Sequence, residues 1–272
     1  MPKFSRLKQI ISFTKIAAYP MDLLKLAILG FSRGHPFSSS DLISKFGRQL
    51  FPQIVIRPNL MKGLQIELNP SDLGHLISFQ EIVLERCYKL ELVPFKPEKV
   101  IDCGAHIGLF SLLASRAYPE AKIIAFEPNP DNAKFIQRQL QLNTLNVSLV
   151  EAAVSSQEGE AWFQSNYSNT GCLQTEESKN SDSYRVKIID LPHFLKQLQL
   201  ESLLLKVDIE GEEAQLIPAL IPHLPQRCAI FFESHNGEDG WKQLSQCLTN
   251  AGFHVQQLRC SYPYVDGFTL RT

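Results

Sequence analysis

The chain has 272 residues, 44% hydrophobic and 20% charged, with a net charge of −1 at pH 7. That suits one large or two small globular domains and supplies no field that would draw in nucleic acid. No apolar run reaches the roughly 20 residues of a membrane span, charges from Lys3 to Lys25 break every candidate signal-peptide core, and six cysteines without C-x-x-C spacing exclude a zinc or disulfide framework, so a cytoplasmic compartment is expected.

Residues 1–50 read as helices carrying Leu7, Ile10, Ile11, Leu23, Leu24 and Ile28, broken by a turn and N-cap at His35–Asp41. This basic, amphipathic start is expected to pack on the protein; contact with a membrane is the alternative. Ile54–Ile56 and Leu64–Leu68 are short predicted strands around an Asn59–Gly63 turn, and Ser78 to Leu92 is a predicted helix stopped by Pro94 and Pro97. From Lys99 strands and helices alternate. The strands are Val100–Cys103, Lys122–Glu127, Val147–Val154, Leu203–Asp208 and Cys228–Glu233. The helices are Leu109–Ala117, Pro130–Asn143, Glu212 towards Leu224 (shortened by Pro218 and Pro222) and Asp239–Asn250. Such alternation implies a parallel, doubly wound α/β sheet. Phe253–Arg259 and Val265–Leu270 are joined by too short a link for a crossover and form an antiparallel hairpin. An insertion, Gln157 to Asp190, holds strand-like Glu160–Gln164 and Tyr184–Ile189 around a polar loop, 165–183.

Four constellations fall at predicted carboxyl ends of strands, where doubly wound sheets bind ligands. Asp102-Cys103-Gly104-Ala105-His106-Ile107-Gly108 is a D-x-G-x-x-x-G turn, with glycines where a ligand must approach the backbone. Glu127, in Phe126-Glu127-Pro128-Asn129-Pro130, can accept hydrogen bonds from both hydroxyls of a ribose. Lys206-Val207-Asp208-Ile209-Glu210-Gly211-Glu212-Glu213 crowds charge at the end of an apolar strand, beyond what core packing explains, although Glu212 and Glu213 also suit a helix N-terminus. Glu233-Ser234-His235 adds an acid and either a general base or a capping histidine. Asp208, Glu210, Glu233 and His235 can also form an oxygen-rich metal site, but their spacing does not demand one and no metal is expected.

The glycine loop decides between two nucleoside cofactors. NAD needs G-x-G-x-x-G to rest its pyrophosphate on a helix N-terminus, and here the second glycine is missing and Gly108 falls one place early. S-adenosylmethionine has no phosphate and needs no such cradle. An S-adenosylmethionine-dependent methyltransferase is the expectation; an NAD-dependent oxidoreductase and a non-catalytic cofactor-binding scaffold are the alternatives.

At these residues the sequence resembles the FkbM family of methyltransferases. The resemblance is carried by V-I-D-C-G-A-H-I-G at Val100–Gly108, A-F-E-P-N-P at Ala125–Pro130, Asn143–Ser155, L-K-V-D-I-E-G-E-E at Leu205–Glu213 and F-E-S-H at Phe232–His235. It implies a Rossmann-like class I methyltransferase fold, with seven strands, an antiparallel C-terminal hairpin and here an N-terminal helical extension. It also implies methyl transfer to a hydroxyl or carboxylate oxygen of a small molecule, sugar, lipid or peptide. Carried over, the cofactor-binding residues are Asp102, Gly104, Ala105, His106, Gly108, Glu127, Pro128, Asn129, Ala153 and Asp208, with Ala152, Ala153 and Val154 towards the adenine. Asp208, Glu210 and His235 are the catalytic candidates. Many family members have Asn where His106 stands. Residues 98–272 are expected to form the methyltransferase domain, and 1–97 an extension covering the pocket.

Overall fold

The computed structural model describes residues 53–58, 61, 63–69, 72–167, 170–174, 183–261 and 264–272. The helices expected in 1–50 lie outside the described residues. A short hairpin, β1 (Ile54–Ile56) and β2 (Ile66–Leu68), leads into helix α1 (Leu73–Ser78) and a π-helical turn at Phe79–Leu84. Here the expected Ser78–Leu92 helix is corrected. Helical structure starts earlier, because the Asp72 side chain caps the amides of Gly74 and His75. It stops near Glu85, because Arg86 turns into the left-handed region at φ 54°. The hairpin packs on the main domain through amide side chains. Asn143 pairs with both backbone groups of Gln65, and Gln139 with both of Glu67.

The main body alternates as expected: β3 (Lys99–Cys103), α2 (Leu109–Ala117), β4 (Lys122–Phe126), α3 (Pro130–Asn143) and β5 (Val147–Val150). After β5 the chain departs from the expected single strand Val147–Val154. The Ala152 amide bonds back to the Val150 carbonyl, and the turn sends β6 (Ala153–Ser155) into a second sheet. There β6 joins β7 (Gly159–Tyr167), β8 (Thr170–Gln174) and β9 (Tyr184–Asp190) in the order β6-β9-β7-β8. Part of the expected 165–183 loop is thus strand, because Phe163, Leu173 and Tyr184 give this sheet an apolar cluster with Ala153 and Val186. Helix α4 (Leu191–Leu198), capped by Asp190 and opened by Pro192, was not apparent in the sequence.

Then come β10 (Ser202–Val207), α5 (Glu213–Leu220), β11 (Arg227–Ser234), α6 (Gly237–Asn250), β12 (His254–Ser261) and β13 (Tyr264–Arg271). The seven-stranded sheet runs β12-β13-β11-β10-β3-β4-β5, with β13 antiparallel to both its neighbours and the other pairings parallel. This is the expected mostly parallel α/β sheet with an antiparallel C-terminal hairpin. Helices cover both faces, so β10 is buried at all six positions and reads as one continuous apolar run interrupted by Lys206. Ile101, Leu203 and Leu205 pack with α4–α6 on one face. Val100, Leu204 and Phe231 pack with Phe110 and Ile136 on the other. Each such buried leucine contributes about 2 kcal/mol, which secures the strand tips where the site is built. Among the described residues no helix is long and apolar enough to cross a membrane.

Candidate active site

β3, β4, β10 and β11 end in register, with Cys103 opposite both Phe126 and Val207, and Val207 opposite Phe232. Their tips open onto a pocket of about 410 Å³ that also draws walls from α1 and its π-helical turn, from the second sheet and from β13. That volume suits a ligand of nucleoside size with a small group beside it.

At one end lies the glycine loop. The amides of Gly104 and Ala105 both donate to the Phe126 carbonyl at 3.1 and 3.0 Å, and the His106 amide donates to Glu127 Oε2 at 2.7 Å. Gly104 has φ +75°, and a Cβ there would lie 1.9 Å from the Asp208 backbone oxygen. The glycine is therefore required by the approach of β10, where the sequence suggested a ligand alone. Gly108, φ +83°, faces Ile136 of α3 and is not part of the pocket wall.

Glu127 is 4% exposed and borders the pocket. Oε1 accepts from the Asn129 amide at 2.9 Å and from Asn132 Nδ2 at 3.2 Å. With the His106 amide, three of about four acceptor positions are taken, which leaves one on Oε2 for a ligand donor. Burial pushes the carboxyl up to about 7 against the opposing pull of these donors. Pro128 and Ala153 border the same end, with Phe163 and Leu173 of the second sheet, which sequence reasoning missed. Asn129 caps α3 through its side chain and lies behind the pocket wall. An acceptor carboxylate at a strand end fits a nucleoside cofactor such as S-adenosylmethionine, and the amides of Gly104, Ala105 and His106 are already bonded within the protein, where a pyrophosphate would need them.

Asp102 and Lys206 are cross-strand partners, Lys206 bordering the pocket and Asp102 lying behind it. Asp102 is fully buried, accepts from Ser111 Oγ at 2.7 Å and lies 3.5 Å from Lys206 Nζ. It supports the loop and does not border the pocket. Lys206 Nζ also donates to the carbonyls of Cys103 and Gly104 and lies 3.4 Å from Asp208 Oδ2. Burial opposes its charge, but Asp208 and Asp102 outweigh burial and hold the ammonium above the usual lysine range.

The other end is crowded with charge. Asp208, Glu210, Glu233, His235 and Asp266 border it, with Tyr88 and Glu81 from the N-terminal side. The Tyr88 hydroxyl donates to Asp208 Oδ2 at 3.4 Å. Glu210 adopts φ 60°, a left-handed conformation uncommon for a glutamate. His235 Nδ1 lies 3.0 Å from Glu213 Oε1 and Nε2 lies 3.2 Å from Glu210 Oε2. Burial would lower this imidazole, but the bonds to Glu210 and Glu213 and the charges of Glu213 and Asp208 push it up to about 12. It therefore holds both protons at neutral pH. Glu213, 1% exposed, also accepts from the amides of Ile209 and Gly211, so it organises the whole loop and does more than favour a helix end. Burial, Asp208 and Asp266 push Glu233 up to about 9. Tyr88, Glu81, Lys206, Glu213 and Asp266 were the members of this end that sequence reasoning did not place in the site. The Lys206–Glu213 run carried the signal for two of them.

Comparison with known proteins agrees with this geometry. The Methyltransferase FkbM domain matches residues 102–255. Methyltransferase sdnD of Sordaria araneosa is 41% identical over 83 residues, covering 30% of this chain and 32% of that protein. Methyltransferase 1 of Beauveria bassiana is 30% identical over 137 residues, covering 48% and 52%. The 31-O-demethyl-FK506 methyltransferase FkbM of Streptomyces tacrolimicus is 42% identical over 53 residues, covering 19% and 20%. The chain thus spans between about a third and a half of the length of the first two relatives. With more than half of its residues matched by one family model, and a pocket that pairs a ribose-type carboxylate with a tight glycine loop, the chain belongs to the FkbM family of S-adenosylmethionine-dependent methyltransferases.

Proposed function

We propose that the protein methylates an oxygen, hydroxyl or carboxylate, of a small molecule, sugar, lipid or peptide. The observation that carries this is the division of one pocket into a nucleoside end at Glu127 and a carboxylate-rich end at Asp208, Glu210 and Glu233. The relative named for a 31-O-demethyl substrate supports oxygen as the acceptor. Bound S-adenosylmethionine supplies an electrophilic methyl group, and the protein's main task is to orient the two reactants. Glu127 holds the ribose. Asp208, fixed by Lys206 and Tyr88, orients the acceptor. Glu210 takes the proton of a hydroxyl acceptor, and His235, already protonated, holds Glu210 in place instead of acting as the base. A carboxylate acceptor is already ionised and needs only positioning. Within the extension 1–97, Ser78, Glu81 and Tyr88 border the pocket and select the substrate, while 98–272 carry the chemistry.

The test is transfer of a labelled methyl group to a panel of hydroxyl, carboxyl, amine and carbon acceptors, with base-labile esters scored apart from stable ethers. Glu210→Gln should lower kcat about 10²–10⁴-fold on a hydroxyl acceptor and little on a carboxylate. Label found only on nitrogen or carbon defeats the oxygen assignment. Binding of S-adenosylhomocysteine with no transfer to any acceptor supports a non-catalytic scaffold instead.

A further inference from the structure

We infer that the second sheet is the nucleobase clamp of the cofactor, with the Phe163 ring stacked on the adenine. The inference rests on the assignment of the ribose to Glu127. A base is one glycosidic bond from its ribose, so the adenine must lie against a wall that adjoins Glu127. Side chains alternate between the two faces of a sheet, and here the faces differ. One carries Trp162 beside Arg185, whose exposed guanidinium pairs with Glu160. The other carries Ala153, Phe163, Gly171 and Leu173, and all four border the pocket. None of the four has a charge or a side-chain hydrogen-bonding group, whereas Asp208, Glu210 and Glu233 border the opposite end. Apolar walls beside a single ribose carboxylate suit a flat, neutral heterocycle.

The ring is held in place from three sides. Phe163 is 7% exposed and stands directly opposite Leu173 of β8 and Tyr184 of β9, meeting the Tyr184 ring at 5.7 Å and 56°. Its ring also lies across Gly171, the diagonal neighbour on β8. A Cβ at Gly171 would stand 2.2 Å from Phe163 Cζ and 2.7 Å from Cε1. The Gly171 backbone lies outside the left-handed region, so no turn demands a glycine there. Room for the Phe163 ring does. Asn129 ties this sheet to the ribose site: its Nδ2 donates to Ser165 Oγ at 3.3 Å, while its amide donates to Glu127. Ser165 is two residues from Phe163, so the same contact sets the position of the ring against that carboxylate. An aromatic face already fixed loses little freedom when a base arrives, and stacking on such a face strengthens binding about 5–150-fold per base.

The experiment compares two ligands on the full-length protein: S-adenosylhomocysteine, and S-ribosylhomocysteine, which has the same ribose and amino acid but no base. Dissociation constants come from calorimetry and from competition. Phe163→Ala should weaken S-adenosylhomocysteine about 5–150-fold and leave S-ribosylhomocysteine within about twofold. Phe163→Leu keeps an apolar side chain and should cost about two- to tenfold, on the base-bearing ligand alone. Gly171→Ala turns the ring aside and should match Phe163→Leu, with little further loss when the two are combined. Arg185→Ala, on the other face of the same sheet, should change neither constant. Nuclear Overhauser contacts from a phenylalanine ring to adenine H2 or H8 should be present in the unsubstituted protein and absent in Phe163→Leu. Unchanged S-adenosylhomocysteine affinity in Phe163→Ala overturns the inference. Equal weakening of both ligands does the same, since the ring would then only support the fold. If Phe163→Ala does not fold, Phe163→Leu and its Overhauser contacts decide. Glu127→Gln should weaken both ligands together. If it weakens neither, the ribose assignment fails, whereas a base-selective loss that is missing from the Phe163 variants defeats only the clamp.

Discussion

Glu127 at the nucleoside end accepts three hydrogen bonds from within the protein, two from backbone amides and one from Asn132. Glu233, at the opposite end of the same pocket, accepts none among the described residues, and the acids Asp208 and Asp266 beside it outweigh the opposing pull of His235. The first end is built before any ligand arrives. Its polar groups are answered internally and its shape is set by backbone contacts between β3, β4 and β10. The second end is held by side-chain ion pairs, Lys206 with Asp208 and His235 with Glu210 and Glu213, and carries an uncommon backbone angle at Glu210. One end of the pocket is thus set by backbone and the other by side chains.

The harshest way to break this contrast is Gly104→Ala. The added Cβ would meet the Asp208 backbone oxygen at 1.9 Å, and φ +75° is itself costly for alanine. Because backbone and not a flexible side chain must move, a loss of about 3–5 kcal/mol is expected, with little S-adenosylhomocysteine binding left. Urea unfolding and calorimetric titration measure the two. Near-normal affinity in this variant would show that the nucleoside end is not preformed. Lys206→Met follows. It leaves Asp102 and Asp208 without their shared ammonium, and breaking such a buried pair costs about 3–5 kcal/mol. Asp102→Asn in the same chain should restore part of that loss, because it removes the buried charge left behind. A cycle of urea midpoints that is simply additive would mean that Lys206 does not join the two ends.

A gentler lever is pH. Glu127 is held up near 7 by burial in the free protein, and ribose hydroxyls donating to the carboxylate favour its ionised form. The bound pKa is then lower than the free one, so binding releases a proton and affinity rises with pH. From pH 8 to pH 6 the dissociation constant of S-adenosylhomocysteine should weaken by about tenfold. Glu127→Gln should bind weakly and without this slope. The same shift has an opposite-looking effect on the unliganded fold. Between the unfolded value of 4.5 and the folded value near 7, the native state holds more proton, so this group's contribution to stability falls as pH rises through that window. A slope of affinity that persists in Glu127→Gln would assign the titration elsewhere.

These contrasts also explain what could be read from the sequence. D-x-G-x-x-x-G and the Glu127 turn are local: each is a strand end and the few residues after it, so spacing reveals them. The main sheet was legible for the same reason, since buried parallel strands read as apolar runs such as Leu203-Leu204-Leu205. The acceptor end is assembled from four separated stretches. Tyr88 and Asp266 reach it only through the path of the π-helical turn and the pairing of β13 with β11. No periodicity encodes that meeting. Glu213 was misjudged because an acid at a helix start has an ordinary reading, and only the fold shows its carboxylate holding two amides and His235. The turn at Ala152 escaped notice because Val147–Val154 is apolar enough to pass as one strand, although its two halves serve two sheets.

The smallest expected effect concerns His106, where the sequence departs from the asparagine common in its family. The residue has φ 52°, and among side chains with a Cβ, asparagine, aspartate and histidine are those enriched in the left-handed region. The loop therefore selects for backbone tolerance, which both residues satisfy. Besides packing edge-on against His75, the imidazole reaches across the pocket wall: Nδ1 lies 2.9 Å from Ser78 Oγ, the last residue of α1. Burial and the neighbouring His75 keep this imidazole neutral, so the contact is an ordinary hydrogen bond. His106→Asn keeps the backbone angle and the amide bond to Glu127 and forfeits the Ser78 bond. It should cost about 1 kcal/mol in a urea titration and leave S-adenosylhomocysteine affinity within about twofold. Ser78→Ala removes only the shared bond and should cost no more than His106→Asn, and the double variant should cost no more than His106→Asn alone. His106→Ala lacks the left-handed preference as well and should be worse than His106→Asn. If asparagine instead cost cofactor affinity as heavily as alanine, the imidazole ring would be a direct part of the nucleoside end, and the separation between a backbone-built end and a side-chain-built end would fail at this residue.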